Sequence, residues 1–296
     1  MKKALSSLML MLTLNAHALT IGAYNIRNFD YDDRARIYTN KNELAKIMKS
    51  ANFDLLSVEE VVKTEIFESF IASNFPGFGT AISRCGGEHD QHLGFVYNKA
   101  KLNLLSFNED LSASDPGGNG GGCNSGSRPL GIGLFEIKAT KQRFYGITVH
   151  LKSGGATDSQ QKRAKQFDAI KNLINDLKAK SGVKDFYFAG DMNTTEYLSK
   201  GSDYKSLTKT VSALGMIDVT ANVGCSAFWW GGTDDKIEDP SLLDHIVVTP
   251  GLLKVAQNAQ VGAHCKAVSC KPSSVANLGI TYGQVSDHCP VTSIIQ

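Results

Sequence analysis

Residues 187–195, "YFAGDMNTT", set the reading of this chain. Tyr187, Phe188 and Ala189 close an apolar run that starts at Asp185 and has the composition of a buried strand. Gly190 breaks the run, and Asp191 and Asn193 follow at once, two apart. A carboxylate and an amide thus stand at the mouth of a strand whose neighbours predict only core.

Other strand ends share that property. "LTIGAY" (19–24) runs into Asn25, "FDLLSVEE" (53–60) ends in Glu59 and Glu60, and "FYGITVH" (144–150) ends in His150. "SLL" (241–243) opens a strand at Asp244 and His245, and "QVSDHCPV" (284–291) places Asp287 and His288 before the last strand. One such ending is ordinary, because polar residues often terminate strands. The repetition along the chain is a pattern.

Carboxylates this dense repel one another unless a cation sits among them. Carboxylate and amide oxygens are hard ligands, suited to Mg²⁺, Ca²⁺ or Mn²⁺ more than to Zn²⁺. Histidines beside them can exchange protons near neutral pH. Together they describe metal-assisted phosphoester hydrolysis.

The rest of the chain reads as one domain over residues 19–296, without repeat or long linker. Strands are expected at Leu19–Tyr24, Asp54–Val58, Leu93–Tyr97, Leu102–Phe107, Leu130–Ile137, Arg143–His150, Asp185–Ala189, Leu243–Val248, Lys254–Val261 and Pro290–Ile295. Helical spacing appears at Leu44, Ile47 and Met48, and again at Ile66, Phe67, Phe70 and Ile71. The longest helix should start with Thr157 or Asp158 as N-cap and stop at Gly182. Its expected buried face is Ala164, Phe167, Ile170, Ile174 and Leu177, which leaves Lys162, Arg163 and Lys165 outside. Many strands with few helices suggest an α+β fold of two stacked sheets flanked by helices. The loop "DPGGNGGGCNSGSR" (115–128) lacks the lysine and following helix of a phosphate cradle, and reads as a surface loop.

The first residues differ from the rest. Met1-Lys2-Lys3 is basic, residues 4–14 are mostly apolar, and Ala16-His17-Ala18 has cleavage-site spacing. This predicts a signal peptide, residues 1–18, and an exported protein, secreted or periplasmic. Loss of Lys2 and Lys3 leaves 29 basic against 29 acidic residues, a balance that excludes coating of nucleic acid by net charge. Six cysteines and no CxxC pair fit disulfides better than metal ligation. Proximity suggests Cys85 with Cys123 and Cys265 with Cys270.

The ordered pieces "AYNIRNF", "LLSVEEVV", "GITVHLKSG", "FAGDMNTT", "LLDHIVV" and "VSDHCPV" resemble the endonuclease/exonuclease/phosphatase superfamily, the deoxyribonuclease I-like proteins. The resemblance covers nearly all of residues 19–296. It implies a four-layer αββα sandwich, two packed mixed sheets between helices. It also implies a metal pair, Asn25 and Glu60, with Asp287 as a third residue near the metal. His150 and His288 match the catalytic histidines, Asp244 the carboxylate orienting His288, and Asp191 with Asn193 the pair that positions phosphate and water.

This sequence departs from the family in two places. Val61 and Val62 precede Lys63 where nuclease members often place a basic residue directly after the metal glutamate. "AISRC" offers Arg84 where deoxyribonuclease I has a glutamate for the first histidine. That leaves His150 with Glu88 or Asp90, or with no carboxylate, and makes Arg84 a possible phosphate contact. Arg128, Lys152 and Trp229 are further substrate candidates, each with a plain surface or packing role as its rival. His89 and His92 are expected to be exposed, Glu59 and His245 to point away from their neighbours Glu60 and Asp244, and at least one of Trp229 and Trp230 to pack in the core.

The expected activity is a Mg²⁺-dependent nuclease, with Ca²⁺ or Mn²⁺ as substitutes. It would act on DNA, with RNA as a further candidate substrate, as a monomer without stable membrane insertion. A sphingomyelinase-type phospholipase C and a phosphoinositide phosphatase, including a toxin subunit like that of cytolethal distending toxin, share the same core chemistry. A non-catalytic binding protein would have no need of the intact set.

Overall fold

The structure, a computed structural model, describes residues 18–115, 122–232, 234–253 and 259–295. Residues 1–17, most of the expected signal peptide, lie outside the described residues, as do 116–121 of the glycine-rich loop and 254–258 of one expected strand.

Two six-stranded sheets form the frame. Their strands are β1 (Leu19–Phe29), β2 (Leu55–Val61), β3 (Phe78–Ile82), β4 (His92–Asn98), β5 (Leu102–Asp110) and β6 (Leu130–Ile137). Then come β7 (Arg143–His150), β8 (Asp185–Asp191), β9 (Ile217–Asp218), β10 (Asp244–Val248), β11 (Gln260–Val261) and β12 (Val291–Ile295). The first sheet runs β11-β12-β1-β2-β4-β3 and the second β9-β10-β8-β7-β6-β5. Both are mixed: β1 and β2 are parallel, as are β7 and β8, while the neighbours outside each pair run antiparallel.

Strand alternation sorts the apolar residues into three layers of core. Leu19, Ile21 and Ala23 meet Phe135, Phe144, Tyr187, Ala189, Ile246 and Val248 between the sheets. Tyr24, Ile26, Leu56 and Val58 point the other way, against α1 (Lys41–Ala51) and α2 (Thr64–Asn74). Phe186 and Phe188 face α3 (Thr157–Ser181) and α4 (Ser202–Leu214). The order is therefore helices, sheet, sheet, helices, the four-layer sandwich expected.

Where the sequence signal was weak, elements went unread. β3 contains Gly79 and a half-buried edge pattern, and α4 is mostly polar with only Asp203, Leu207, Thr210 and Leu214 buried. A hairpin, Ala227–Trp229 with Ile237–Ser241, and the helices α5 (Ala263–Ala267) and α6 (Val275–Gln284) also lacked clear periodicity.

Several expectations are corrected. The N-cap of α3 is Ala156, not Thr157 or Asp158, although its end at Gly182 is as expected. Arg163 is fully buried on the inner face of α3, because Asp203 of α4 neutralises it. His92 is buried at the start of β4, its ring between the Ser83 carbonyl (2.7 Å) and Asp90 (3.0 Å). Trp229 and Trp230 are 49% and 59% exposed, and it is Phe228 that enters the core. Cys85 bonds to Cys123 as expected, but Cys265 pairs with Cys289 and Cys270 with Cys225. Cys265 sits on α5 facing the approach to β12, while Cys270 lies beyond that helix and reaches back to Cys225. Closeness in sequence did not predict closeness in space. No helix among the described residues is long and apolar enough to cross a membrane.

Candidate active site

The second sheet places three of the candidate residues in one row. Asp191 pairs with His150 on parallel β7 and with Asp244 on antiparallel β10. Alternation turns all three side chains into the gap between the sheets, alongside Thr148, Ala189 and Ile246. Gly190 makes this end possible. At φ +139° it holds a conformation that favours glycine, and a Cβ there would strike the Val149 carbonyl and come within 2.7 Å of Glu59 Oε1.

The first sheet reaches the same place by irregular backbone. After the Asn25–Glu59 pair the β1–β2 register shifts, and Arg27, Asn28 and Glu60 adopt φ of 44°, 46° and 64°. That turn brings Glu60 Oε1 to 3.0 Å from Asn25 Nδ2 and lets Glu60 Oε2 accept from the Asn28 amide at 3.0 Å. Asn25 Nδ2 also donates to Asp191 Oδ2 at 3.0 Å and so links the two sheets.

Glu59 lies in the gap beneath this cluster, accepting from Thr148 Oγ1 at 3.3 Å. The expectation for Glu59 assumed regular alternation; the left-handed turn at Glu60 brings both glutamates to the same end.

His288 arrives from the segment before β12. Ser286 Oγ accepts from the His288 amide at 3.0 Å and donates to the Asn25 carbonyl at 2.7 Å, anchoring the segment to β1. His288 Nδ1 lies 2.8 Å from Asp244 Oδ2, and its Nε2 is 3.7 Å from Asp191 Oδ2. On the other side, His150 Nε2 is 3.3 Å from Asp191 Oδ2 and 3.7 Å from Glu60 Oε1. Asp191 therefore stands between the two imidazoles.

Asp90 pairs with His92 and Glu88 is exposed, so the carboxylates beside His150 are Asp191 and Glu60. Asn193, at φ 51°, donates from Nδ2 to the Leu151 carbonyl at 3.2 Å, and its amide donates to Asp191 Oδ1 at 2.8 Å. Asp287 is half-buried, and its charge acts on Glu60.

The substrate candidates divide. Arg128 is buried, donates to the Leu151 carbonyl at 3.1 Å, and lies within the fields of Glu60 and Asp191. Lys152 is partly buried and donates to the Ser153 carbonyl. Arg84 points into solvent, with Glu109 as its ionic neighbour at 3.9 Å. Trp229 lies at the rim, two residues beyond Ala227, which bridges to His288. His245 faces away from Asp244, as alternation predicts, and lies 3.1 Å from Asp218. Sequence reasoning gave no part to Thr148, Ser226 or Ser286, whose hydroxyls hold Glu59, the Asp244 amide and His288. Hydroxyl residues are too common to stand out.

The two histidines sit in opposed fields. Burial, then the nearby Arg128 and His288, push His150 well below its ordinary range, so it is neutral. Burial alone would lower His288 too, but Asp244 and Asp191 outweigh it and hold the ring protonated well above its usual range. Asp191 is raised to about 6, chiefly by burial, with the Asp244 charge adding to the shift and His288 opposing it. Glu60 is raised by burial and by Asp287.

Two carboxylates held this close, at Glu60 and Asp191, repel each other, and Arg128 and His288 offset that repulsion only in part. One ligand atom each from Glu60, His150 and Asp191 lies within 4.8 Å of the others, and the buried Asp244 Oδ1 and Glu59 Oε2 have no hydrogen-bond partner among the described residues. Oxygen donors with raised proton affinity fit a hard divalent cation. A second cluster, His264 with Cys265 and Cys289, has both sulfurs in a disulfide and offers no thiolate.

This architecture is the fold of endonuclease/exonuclease/phosphatase proteins. An endonuclease/exonuclease/phosphatase from Bacteroides vulgatus superposes with a TM-score of 0.65 at 18% identity, covering 94% of this chain and 98% of that one. D. rerio TDP2, solved in complex with a single-strand DNA product, gives 0.62 at 15% identity, over 94% and 99% of the two chains. A mannosyl-6-phosphatase from Bacteroides thetaiotaomicron gives 0.62 at 17%, over 94% and 100%. No family model matches the chain, and no curated protein matches it.

Proposed function

We propose that this chain is a member of the endonuclease/exonuclease/phosphatase superfamily and an exported, divalent-metal-dependent phosphodiesterase acting on nucleic acid. One observation carries the reading: a single carboxylate, Asp191, flanked by a neutral and a charged imidazole, beside a second acid cluster. Phosphoester hydrolysis needs such a division, one group to take a proton and another to meet negative charge. A bound divalent cation, Mg²⁺ by the donor set, would be held by Glu60 and Asp191, with Asn25 orienting both and Asp287 nearby. It would supply positive charge against a phosphate oxygen.

The remaining steps belong to the protein. Asp191 orients the attacking water and takes its proton, and the Asn193 amide, donating to its Oδ1, fixes the carboxylate. Protonated His288, held by Asp244, donates a hydrogen bond to a phosphate oxygen and neutralises charge as it grows. As the bond from phosphorus to the leaving oxygen breaks, neutral His150, facing the same space through Nε2, gives that oxygen its proton and recovers one from Asp191 at 3.3 Å. Arg128 adds a fixed positive charge behind Glu60.

Nucleic acid is the favoured substrate because the resemblance is to nucleases and a relative of the same fold was solved with a single-strand DNA product. Three disulfides support export, and the sequence pattern of residues 1–18, basic then apolar then small, is that expected of a signal peptide. The chain is expected to act as a monomer. Lipid phosphodiesters are the second reading, favoured by the exposed Trp229 and Trp230 at the rim.

The test offers the mature protein plasmid DNA, single-strand DNA, RNA, sphingomyelin, phosphoinositides and mannose 6-phosphate, with Mg²⁺ and with chelator. Chelator-sensitive cleavage of DNA or RNA is expected. Turnover confined to lipid or to monoesters would overturn the nuclease reading, and full activity in excess EDTA would remove the metal.

A further inference from the structure

The long helix α3 carries an arginine that the chemistry above leaves unused. Arg163 is fully buried, and each of its five N–H groups has an acceptor. Nε and Nη2 form a two-pronged pair with Asp203, at 2.8 and 2.7 Å. Nη1 donates to the carbonyls of Lys152 and Gly154, both at 2.7 Å. The remaining Nη2 proton meets Thr195 Oγ1 at 3.3 Å.

Those acceptors belong to two particular loops. Lys152 and Gly154 follow His150 by two and four residues. Thr195 follows Asn193 by two, and its hydroxyl also donates to Asp203 at 3.1 Å. One buried guanidinium with its carboxylate therefore spans the loop leaving β7 and the loop leaving β8. Gln166, one turn along the same helix, reinforces the first loop: its Oε1 accepts from the Lys152 amide at 2.9 Å, and its Nε2 donates to the Ala113 carbonyl at 2.9 Å. The two loops also meet directly, the Leu151 amide donating to the Asp191 carbonyl at 2.9 Å.

We infer that Arg163 and Asp203 are positioning residues: their buried pair fixes the spacing of the His150 and Asp191–Asn193 loops, and so the His150–Asp191 geometry. The catalytic part of this claim rests on the function proposed above; the mechanical part does not. A buried pair that served packing alone would satisfy its donors anywhere. This one sends three of its five N–H groups to the two loops that carry the reacting side chains. Lysine could keep the charge but has three donors and no fork, so it cannot hold both loops.

The experiment compares the parent with Arg163→Lys and with the paired replacement Arg163→Met/Asp203→Leu, which removes both charges and leaves neither buried alone. Amide hydrogen exchange is followed at Leu151 and Asn193, with the middle of α3 as an internal reference. Steady-state hydrolysis of bis(p-nitrophenyl) phosphate with Mg²⁺ is measured per folded molecule.

Faster exchange at Leu151 and Asn193 with α3 unchanged is expected in both variants. So is a fall in kcat of roughly 10–100-fold with KM within twofold, the cost of a small misplacement of reacting groups. Unchanged exchange at the two amides, or kcat within twofold of the parent in the soluble variant, would overturn the inference. Should one variant fail to fold, the other decides. A parent with no metal-dependent hydrolysis would sink the functional reading, and the exchange data would still decide whether the clamp holds the loops.

Discussion

The two sheets supply the site by opposite means. The second sheet delivers His150, Asp191 and Asp244 through regular register, one residue from each of three adjoining strands. The first delivers Asn25 in register but Glu60 through a register shift and a run of left-handed residues. Regular strands give rigidity without choice of angle. The irregular end costs local strain and aims a carboxylate where alternation would not send it. The division suggests that the second sheet does the proton chemistry while the first sets metal affinity.

The most severe way to probe that division is Asp191→Asn, because Asp191 touches both halves. We expect turnover on folded, metal-saturated protein to fall by about 10⁴-fold, the top of the range for a general acid–base group. Retention of a tenth of the parent rate would remove Asp191 from the centre of the mechanism. His288→Ala should cost on the order of 10²–10⁴-fold in kcat, and Asp244→Asn should also be severe, since it keeps the shape but loses the charge that holds His288 protonated. Near-parent turnover in His288→Ala would leave that residue a structural cap on β12.

Asn25→Ala tests the first sheet. Here the expected loss is in metal affinity, about 10–100-fold, as for removal of a group that orients ligands. The rate at saturating Mg²⁺ should change much less. If kcat collapses while the affinity measured by calorimetry stays put, the assignment of the two halves is reversed.

The smallest expected effect is one of pH. Asp191 is raised from 3.8 to about 6, so in the metal-free fold it favours the proton. Its stabilising contribution is complete below 3.8 and is lost as pH rises through about 6. His288, also raised, contributes with the same sign, present below 6.5 and lost as pH climbs through its higher folded value. Metal binding needs the carboxylate and runs the other way. The rise in Tm on adding Mg²⁺ should therefore be small at pH 5 and grow toward pH 8. A shift that is equal at both would mean that proton and metal do not compete.

The same contrast explains what was legible. The polar strand ends were legible one by one, and the two-sheet architecture followed from the strand count and the family resemblance. The row on the second sheet depends on strand pairing between distant residues, His150 with Asp191 and Asp191 with Asp244, which no local pattern carries. Glu59 was misplaced because nothing in "SVEEV" announces a left-handed turn at Glu60. Arg163 was assigned to solvent because its partner, Asp203, lies 40 residues away on a helix with little apolar signature. Cys265 and Cys270 looked like a pair because neighbours in sequence do, and a folded chain brought each a more distant partner. Local rules found what regular backbone places; they missed what one irregular residue or one long-range ion pair decides.

The placement of Trp229 and Trp230 has an optical consequence. They are the only two tryptophans in the chain, both half-exposed and close to the strand that bridges to His288. Native emission should already sit near the wavelength of solvated indole, and denaturation should change it little. A titration followed by tryptophan fluorescence would then under-report the cooperative loss of the core, which far-ultraviolet circular dichroism would capture. The same exposure makes the indoles sensitive reporters of anything that covers the rim. Quenching on addition of a catalytically silent oligonucleotide would register occupancy without turnover.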